Sequence, residues 1–139
     1  MTLRPGTLDD ANVLPEIHRL AAFRPPLHTA DEEEAFVRQL IAENQVWVVE
    51  VGDEVVAYVA FDNDWLRHLF VHPKHQGRGY GSALLTHALT DRRERQLWTF
   101  EKNALARKFY EDHGWVLVEL TDGRGNEWNE PEVRYAWKP

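Results

Sequence analysis

The chain has 139 residues, 43% hydrophobic and 12% aromatic, enough for one compact core and too little for two, so a single domain over 1–139 is expected. Its 23 acidic residues outweigh 16 basic ones, for a formal charge of -7, and no basic patch stands out, which argues against nucleic acid and anionic membrane as partners. Cysteine is absent, which removes disulfides, thiolate metal sites and cysteine nucleophiles; the opening MTLRPGTLDD lacks a signal pattern and no run approaches the ~18 apolar residues of a membrane span, so a cytoplasmic location is expected.

Thr7 with Asp10, then apolar Val13, Leu14, Ile17, Leu20 and Ala21, predicts a capped amphipathic helix from about Asp9 to Ala22, stopped by Arg24-Pro25-Pro26. Thr29 with Glu32 opens a second, acidic helix to about Glu43, with an expected buried stripe of Ala35, Phe36, Leu40 and Ile41. Val46 to Val51 and Val55 to Phe61, rich in β-branched and aromatic residues around Gly52-Asp53, read as a hairpin. Leu66 to Val71 is a third strand, closed by His72-Pro73.

From Gly79 to about Arg92 the apolar positions Tyr80, Ala83, Leu84, Ala88 and Leu89 have helical spacing. Leu97 to Phe100 is a short strand, and Asn103 caps a helix with Ala106, Phe109 and Tyr110 inward and Gly114 at its end. Trp115 to Leu120 and Val133 to Trp137 are the last strands. The connection Thr121 to Pro131 is long for a hairpin turn, which marks it as a candidate functional loop.

Three glycines on alternate positions, Gly77, Gly79 and Gly81, stand at the mouth of a helix, where unpaired N–H groups and the positive end of the dipole attract anions. Bare backbone there forms a nest of amides, with Arg78 as a flexible charge at its rim. A nucleotide P-loop would need Lys-Ser or Lys-Thr after its last glycine, where Tyr80-Gly81-Ser82 stands. The dinucleotide fingerprint wants its first glycine directly off the strand, whereas five residues separate Val71 from Gly77, which weakens a dinucleotide-dependent oxidoreductase.

Gln76-Gly77-Arg78-Gly79-Tyr80-Gly81 resembles the Q/R-x-x-G-x-G/A signature of the GNAT N-acetyltransferase superfamily, there also preceded by a strand ending in Val. Asn103-Ala104-Leu105-Ala106-Arg107-Lys108-Phe109-Tyr110-Glu111, running into His113-Gly114-Trp115, resembles the family's N-x-x-A-x-x-F-Y-E-x-x-G-F ending, and Arg4 to Asp10 its first strand and turn. The resemblance implies an α+β (three-layer α/β) fold: a single mixed, mostly antiparallel central sheet of about 6-7 strands, splayed at the acyl-CoA site and flanked by about 4 helices. It implies acetyl-CoA as co-substrate, no metal, and a small-molecule or peptide amine as acceptor. Leu69, Phe70 and Val71 would hold pantetheine through main-chain groups, Gln76, Gly77, Arg78, Gly79, Tyr80, Gly81 and Ser82 would hold pyrophosphate, and Asn103 and Tyr110 would meet the cofactor arm.

For the chemistry, an amide N–H at Phe70 or Val71 would donate to the oxyanion. Tyr110, seven residues after Asn103 and so about two turns along one helix, is the expected general acid. Many relatives carry an acid four residues before the strand-ending Val; Arg67 stands there, which leaves Asp64, His68 and Glu101 as candidate bases, His68 having the best intrinsic pKa. His68 and His72 would lie roughly 13 Å apart along a strand, too far to share one metal ion. Asp31 to Glu34, Asp122, Glu127, Glu130 and Glu132, with Trp65 and Trp128, would suit a cationic amine. Two alternatives stay open, a non-catalytic acyl-CoA sensor and the oxidoreductase, and so do monomer and homodimer.

Overall fold

The computed structural model describes residues 1–22 and 27–139; the expected Arg24-Pro25-Pro26 stop lies outside them. Among the described residues are seven strands and four α-helices. The chain falls into two compact units, Met1–Asp62 with Leu66–Asp91, and Asn63–Trp65 with Arg92–Pro139. The α+β class is as expected, and the ladders group the strands as four and three. No helix among the described residues is long and apolar enough to cross a membrane.

The first unit carries β1 (Thr2–Pro5), α1 (Leu14–Ala21), α2 (Ala30–Glu43), β2 (Gln45–Val51), β3 (Glu54–Phe61), β4 (Leu66–Val71) and α3 (Tyr80–Ala88). Its sheet runs β1-β2-β3-β4 with every neighbour antiparallel. Strand alternation sorts the side chains: Val46, Val48, Tyr58 and Ala60 join Leu14 and Ile17 of α1 and Val37 and Leu40 of α2 in one buried cluster. The intervening Trp47 points to the other face, where its ring meets that of His87 of α3 at 4.0 Å.

The first helix begins later than expected. Thr7 and Asp10 do cap, but they close a 3₁₀ turn, Leu8–Asp10, in which the Thr7 N–H donates to Asp10 Oδ2 at 2.8 Å. The Asp10 carboxylate also accepts two hydrogen bonds from the Arg4 guanidinium, at 2.9 and 3.0 Å, which tie this turn to β1. The reason for the late start is Pro15: inside a helix begun at Asp9 it would remove a hydrogen bond and clash with the preceding turn, whereas in the first turn of α1 it costs nothing.

In α2 the capping box forms as expected, with Thr29 Oγ1 accepting from the Glu32 N–H at 3.2 Å and Glu32 Oε1 accepting from the Thr29 N–H at 2.9 Å. The buried stripe is rotated, however: Val37 and Leu40 are buried, while Ala35 and Phe36 are exposed, Phe36 to 51%. Helix α3 ends at Ala88 and not near Arg92, because the Thr90 hydroxyl takes the His87 carbonyl at 2.7 Å and Arg92 sits at φ +59°.

The second unit holds β5 (Arg95–Phe100), α4 (Ala104–Asp112), β6 (Val116–Leu120) and β7 (Glu132–Trp137) in an antiparallel sheet ordered β5-β7-β6. An isolated parallel bridge joins Trp65 to Gln96. Tyr135 of β7 pins α4: its hydroxyl donates to Glu111 and accepts from Arg107 Nε at 3.1 Å.

Candidate active site

Strand β4 ends the four-stranded sheet, and its register decides which main-chain groups face outward. The His72 N–H donates to the Val56 carbonyl at 2.8 Å. In an antiparallel ladder paired Ala60 to His68 and Tyr58 to Phe70, that bond turns the main-chain groups of His68 and Phe70 toward β3 and those of Leu69 and Val71 toward the open edge. Of the three residues expected to offer backbone to a cofactor, Phe70 is therefore committed to its neighbour strand. Any oxyanion donor on this edge is Val71 or Leu69.

Beyond Val71 the chain turns through a 3₁₀ turn, Pro73–His75, to the glycines. Gln76 is exposed, and its Nε2 donates to the Val71 carbonyl at 3.0 Å, so the side chain expected at the pyrophosphate staples the strand end to the loop. Gly77 and Gly79 adopt φ +77° and +85°, and a Cβ at either would meet nothing within 4 Å. Glycine is thus demanded by backbone conformation and not by crowding, and the space in front of these peptides is open. Gly79 is the N-cap of α3, which starts Tyr80-Gly81-Ser82, and Arg78 is exposed beside it. The first-turn N–H groups of α3 therefore follow the β4 edge in the chain, with the 3₁₀ turn and the two positive-φ glycines between them.

His68 projects from β4 onto the face covered by α1 and α2. Its Nδ1 lies 2.8 Å from the Tyr58 hydroxyl; the His18 ring stacks on it at 5.0 Å, and Phe36 stands 5.6 Å away. It opens on a groove of about 440 Å³ walled by Phe36, Gln39 and Glu43 of α2 and by Asp62 and Arg67. Arg67, in the place of the usual acid, is ion-paired to Asp62 at 2.8 Å. Of the other candidate bases, Asp64 and Glu101 belong to the second unit.

At least six of the eight acids expected around an acceptor have partners within the protein. Glu32 caps α2; Glu33, Glu34, Asp122 and Glu130 pair with Arg19, Arg38, Arg124 and Lys102; Glu132 accepts from Asn126. Trp128 packs against Phe100 at 6.0 Å. The carboxylates at the groove are Glu43 and Asp62, which the sequence reading did not single out, nor did it single out His18 or Tyr58. A signal for Tyr58 was present: residues 58 and 60 of one strand and 68 and 70 of the next share a face once the two strands are paired.

In the second unit Asn103 is the N-cap of α4, its Oδ1 accepting from the Ala106 N–H at 3.2 Å, so a cofactor contact would fall to its NH₂. Tyr110 is buried among Phe109, Trp115 and Tyr135, at ring distances of 5.2, 5.7 and 6.5 Å. Burial pushes its phenol well above the ordinary value of 10, so it stays protonated throughout the neutral range.

Residues 42–117 match the family model for the acetyltransferase (GNAT) domain. An uncharacterised N-acetyltransferase of Archaeoglobus fulgidus is 33% identical over 81 residues, 47% of this chain and 55% of the relative. The uncharacterised N-acetyltransferase YafP of Escherichia coli is 28% identical over 90 residues, 65% of this chain and 58% of the relative, so the matches span little more than half of the curated relatives' length. The fold is shared with yncA of Salmonella typhimurium, a putative acetyltransferase solved with acetyl-CoA, at a TM-score of 0.77 and 21% identity, covering 99% of this chain and 93% of that one. With more than half of its length matching the domain and its whole described fold shared with such structures, the chain belongs to the GNAT acetyltransferase family.

Proposed function

We propose that the chain works as one domain over residues 1–139 and transfers the acetyl group of acetyl-CoA to a primary amine of a small molecule or peptide. The observation that carries this reading is the continuous run from the outward main-chain edge of Leu69 and Val71, through positive-φ Gly77 and Gly79, to the N-terminus of α3. An extended pantetheine arm suits the edge, and a diphosphate suits the amides and dipole at its end. The acetyl-CoA bound by the structurally similar yncA supports the same choice of co-substrate.

In the proposed reaction a neutral amine nitrogen attacks the thioester carbonyl carbon. The C–N bond forms, the carbonyl electrons move to oxygen, and the Val71 or Leu69 N–H stabilises that oxyanion. His68 takes the proton the nitrogen must lose. Collapse breaks the C–S bond, and Tyr110 supplies a proton to the sulfur. The thiolate of a thiol that ordinarily titrates near 8.5 is a weaker base than a phenolate, so the proton is passed as the C–S bond breaks and not afterwards.

Free-thiol release from acetyl-CoA over a panel of amines tests the reading. Acetyl-CoA uptake with amine-dependent thiol release supports it. Uptake without release favours an acyl-CoA sensor, the reading to which Arg67 in place of the usual acid lends weight, and NAD(P)H uptake alone favours the oxidoreductase.

A further inference from the structure

We propose that Tyr58 is the positioning residue of His68, selecting which imidazole nitrogen meets the acceptor amine. This rests on the acyl-transfer reading above and deepens it. The β3–β4 register makes Tyr58 and His68 diagonal neighbours on one face of the sheet, within reach of long side chains. The Tyr58 hydroxyl stands 2.8 Å from Nδ1, and Tyr58 is 0% exposed, so water does not compete for this bond. The ring is held from other elements as well: His18 of α1 stacks at 5.0 Å and 20°, Phe36 of α2 lies at 5.6 Å, and Phe70 meets it edge-on at 5.4 Å. A ring flip would forfeit the Tyr58 bond, so the orientation of His68 at the groove is set.

The tautomer that can work has Nδ1–H donating to the Tyr58 oxygen and the lone pair on Nε2, at the opposite end of the ring. On attack an N–H bond of the acceptor breaks, an Nε2–H bond forms, and the electron pair of the broken bond stays on the amide nitrogen. The imidazolium keeps its Nδ1–H on Tyr58, whose oxygen thereby stabilises the charged form. Among the described residues, the titratable and charged groups that face it include His18 from α1, Glu43 from α2, Tyr58 and Asp62 from β3 and its end, and Arg67 beside it on β4. Tyr58 is a partner that both orients the ring and favours its protonation, through a hydroxyl held 2.8 Å from Nδ1.

The test combines the pH profile of kcat/KM for the acceptor with an NMR titration of the His68 imidazole, in the parent chain and in Tyr58→Phe, which removes only a hydroxyl. The parent should show the Nδ1–H tautomer. Tyr58→Phe should lower the His68 pKa and the acid limb of the profile together by roughly one unit, and lower kcat roughly tenfold, with acetyl-CoA affinity unchanged. The Nε2–H tautomer in the parent chain, or a limb that stays in place while turnover persists, overturns the positioning role and leaves acyl transfer standing. Absence of thiol release from the parent chain with every amine takes down acyl transfer and this inference with it.

Discussion

Three glycines of like backbone conformation and unlike surroundings allow the cofactor loop to be tested apart from stability. Gly52, Gly79 and Gly123 have φ +62°, +85° and +85°. A Cβ at Gly52 or Gly79 would meet nothing within 4 Å, whereas at Gly123 it would fall 2.4 Å from the Glu130 backbone. Gly52→Ala and Gly79→Ala should therefore cost only left-handed strain, about 1–2 kcal/mol each. Gly123→Ala adds a backbone collision, for about 2–5 kcal/mol in all. Urea unfolding measures these losses. Calorimetry then separates the first two, because only Gly79→Ala disturbs the peptides proposed to hold the diphosphate. Loss of one charge-assisted hydrogen bond, about 1.5–3 kcal/mol, should weaken acetyl-CoA roughly 10- to 100-fold. Equal acetyl-CoA affinity in Gly52→Ala and Gly79→Ala would refute the assignment of this loop.

Tyr110→Phe should lower kcat at least tenfold while acetyl-CoA affinity changes little; because burial raises the phenol, Tyr110 should leave no basic limb in the parent's profile below about pH 10, which steady-state kinetics checks. Burial pushes the Asp10 pKa up, but hydrogen bonds from Arg4 and Thr7 overcome this and hold it below the ordinary 3.8. The carboxylate thus stabilises the fold above about pH 4 and loses that contribution as pH falls through its depressed folded value; urea titrations from about pH 5 to 2 should show this slope and its loss in Asp10→Asn. Asn103→Ala should cost about 0.5–2 kcal/mol through the lost α4 cap, measured by thermal unfolding, and the loss of any cofactor contact should appear separately as weaker acetyl-CoA uptake.

Local chemistry made much of this fold readable. The Thr29–Glu32 box, the Gly52 turn, the run Leu66–Val71 and the Asn103 cap each depend on neighbours a few residues away, and each forms as the residues indicate. The errors arose where distant partners decide. Arg4 draws Asp10 into a turn on β1, and the face of α2 that is buried depends on what β2 presents to it, so Phe36 is exposed beside His68. At the site the glycine turn was legible because positive φ selects glycine. The division of labour along β4 was not, since the outward facing of Leu69 and Val71 and the inward facing of Phe70 follow from register with β3. The Tyr58–His68 contact and the groove with Glu43 likewise exist only once strands and helices are paired.

The most direct measurement of the central claim is an amide NMR titration with acetyl-CoA. The account predicts that the N–H signals of Leu69 and Val71, and those from Gly77 through Ser82, shift most and gain protection from exchange, while Phe70, bonded into β3, moves less. Saturable binding that leaves the Gly77 to Ser82 amides unmoved, with the largest shifts elsewhere, would contradict it.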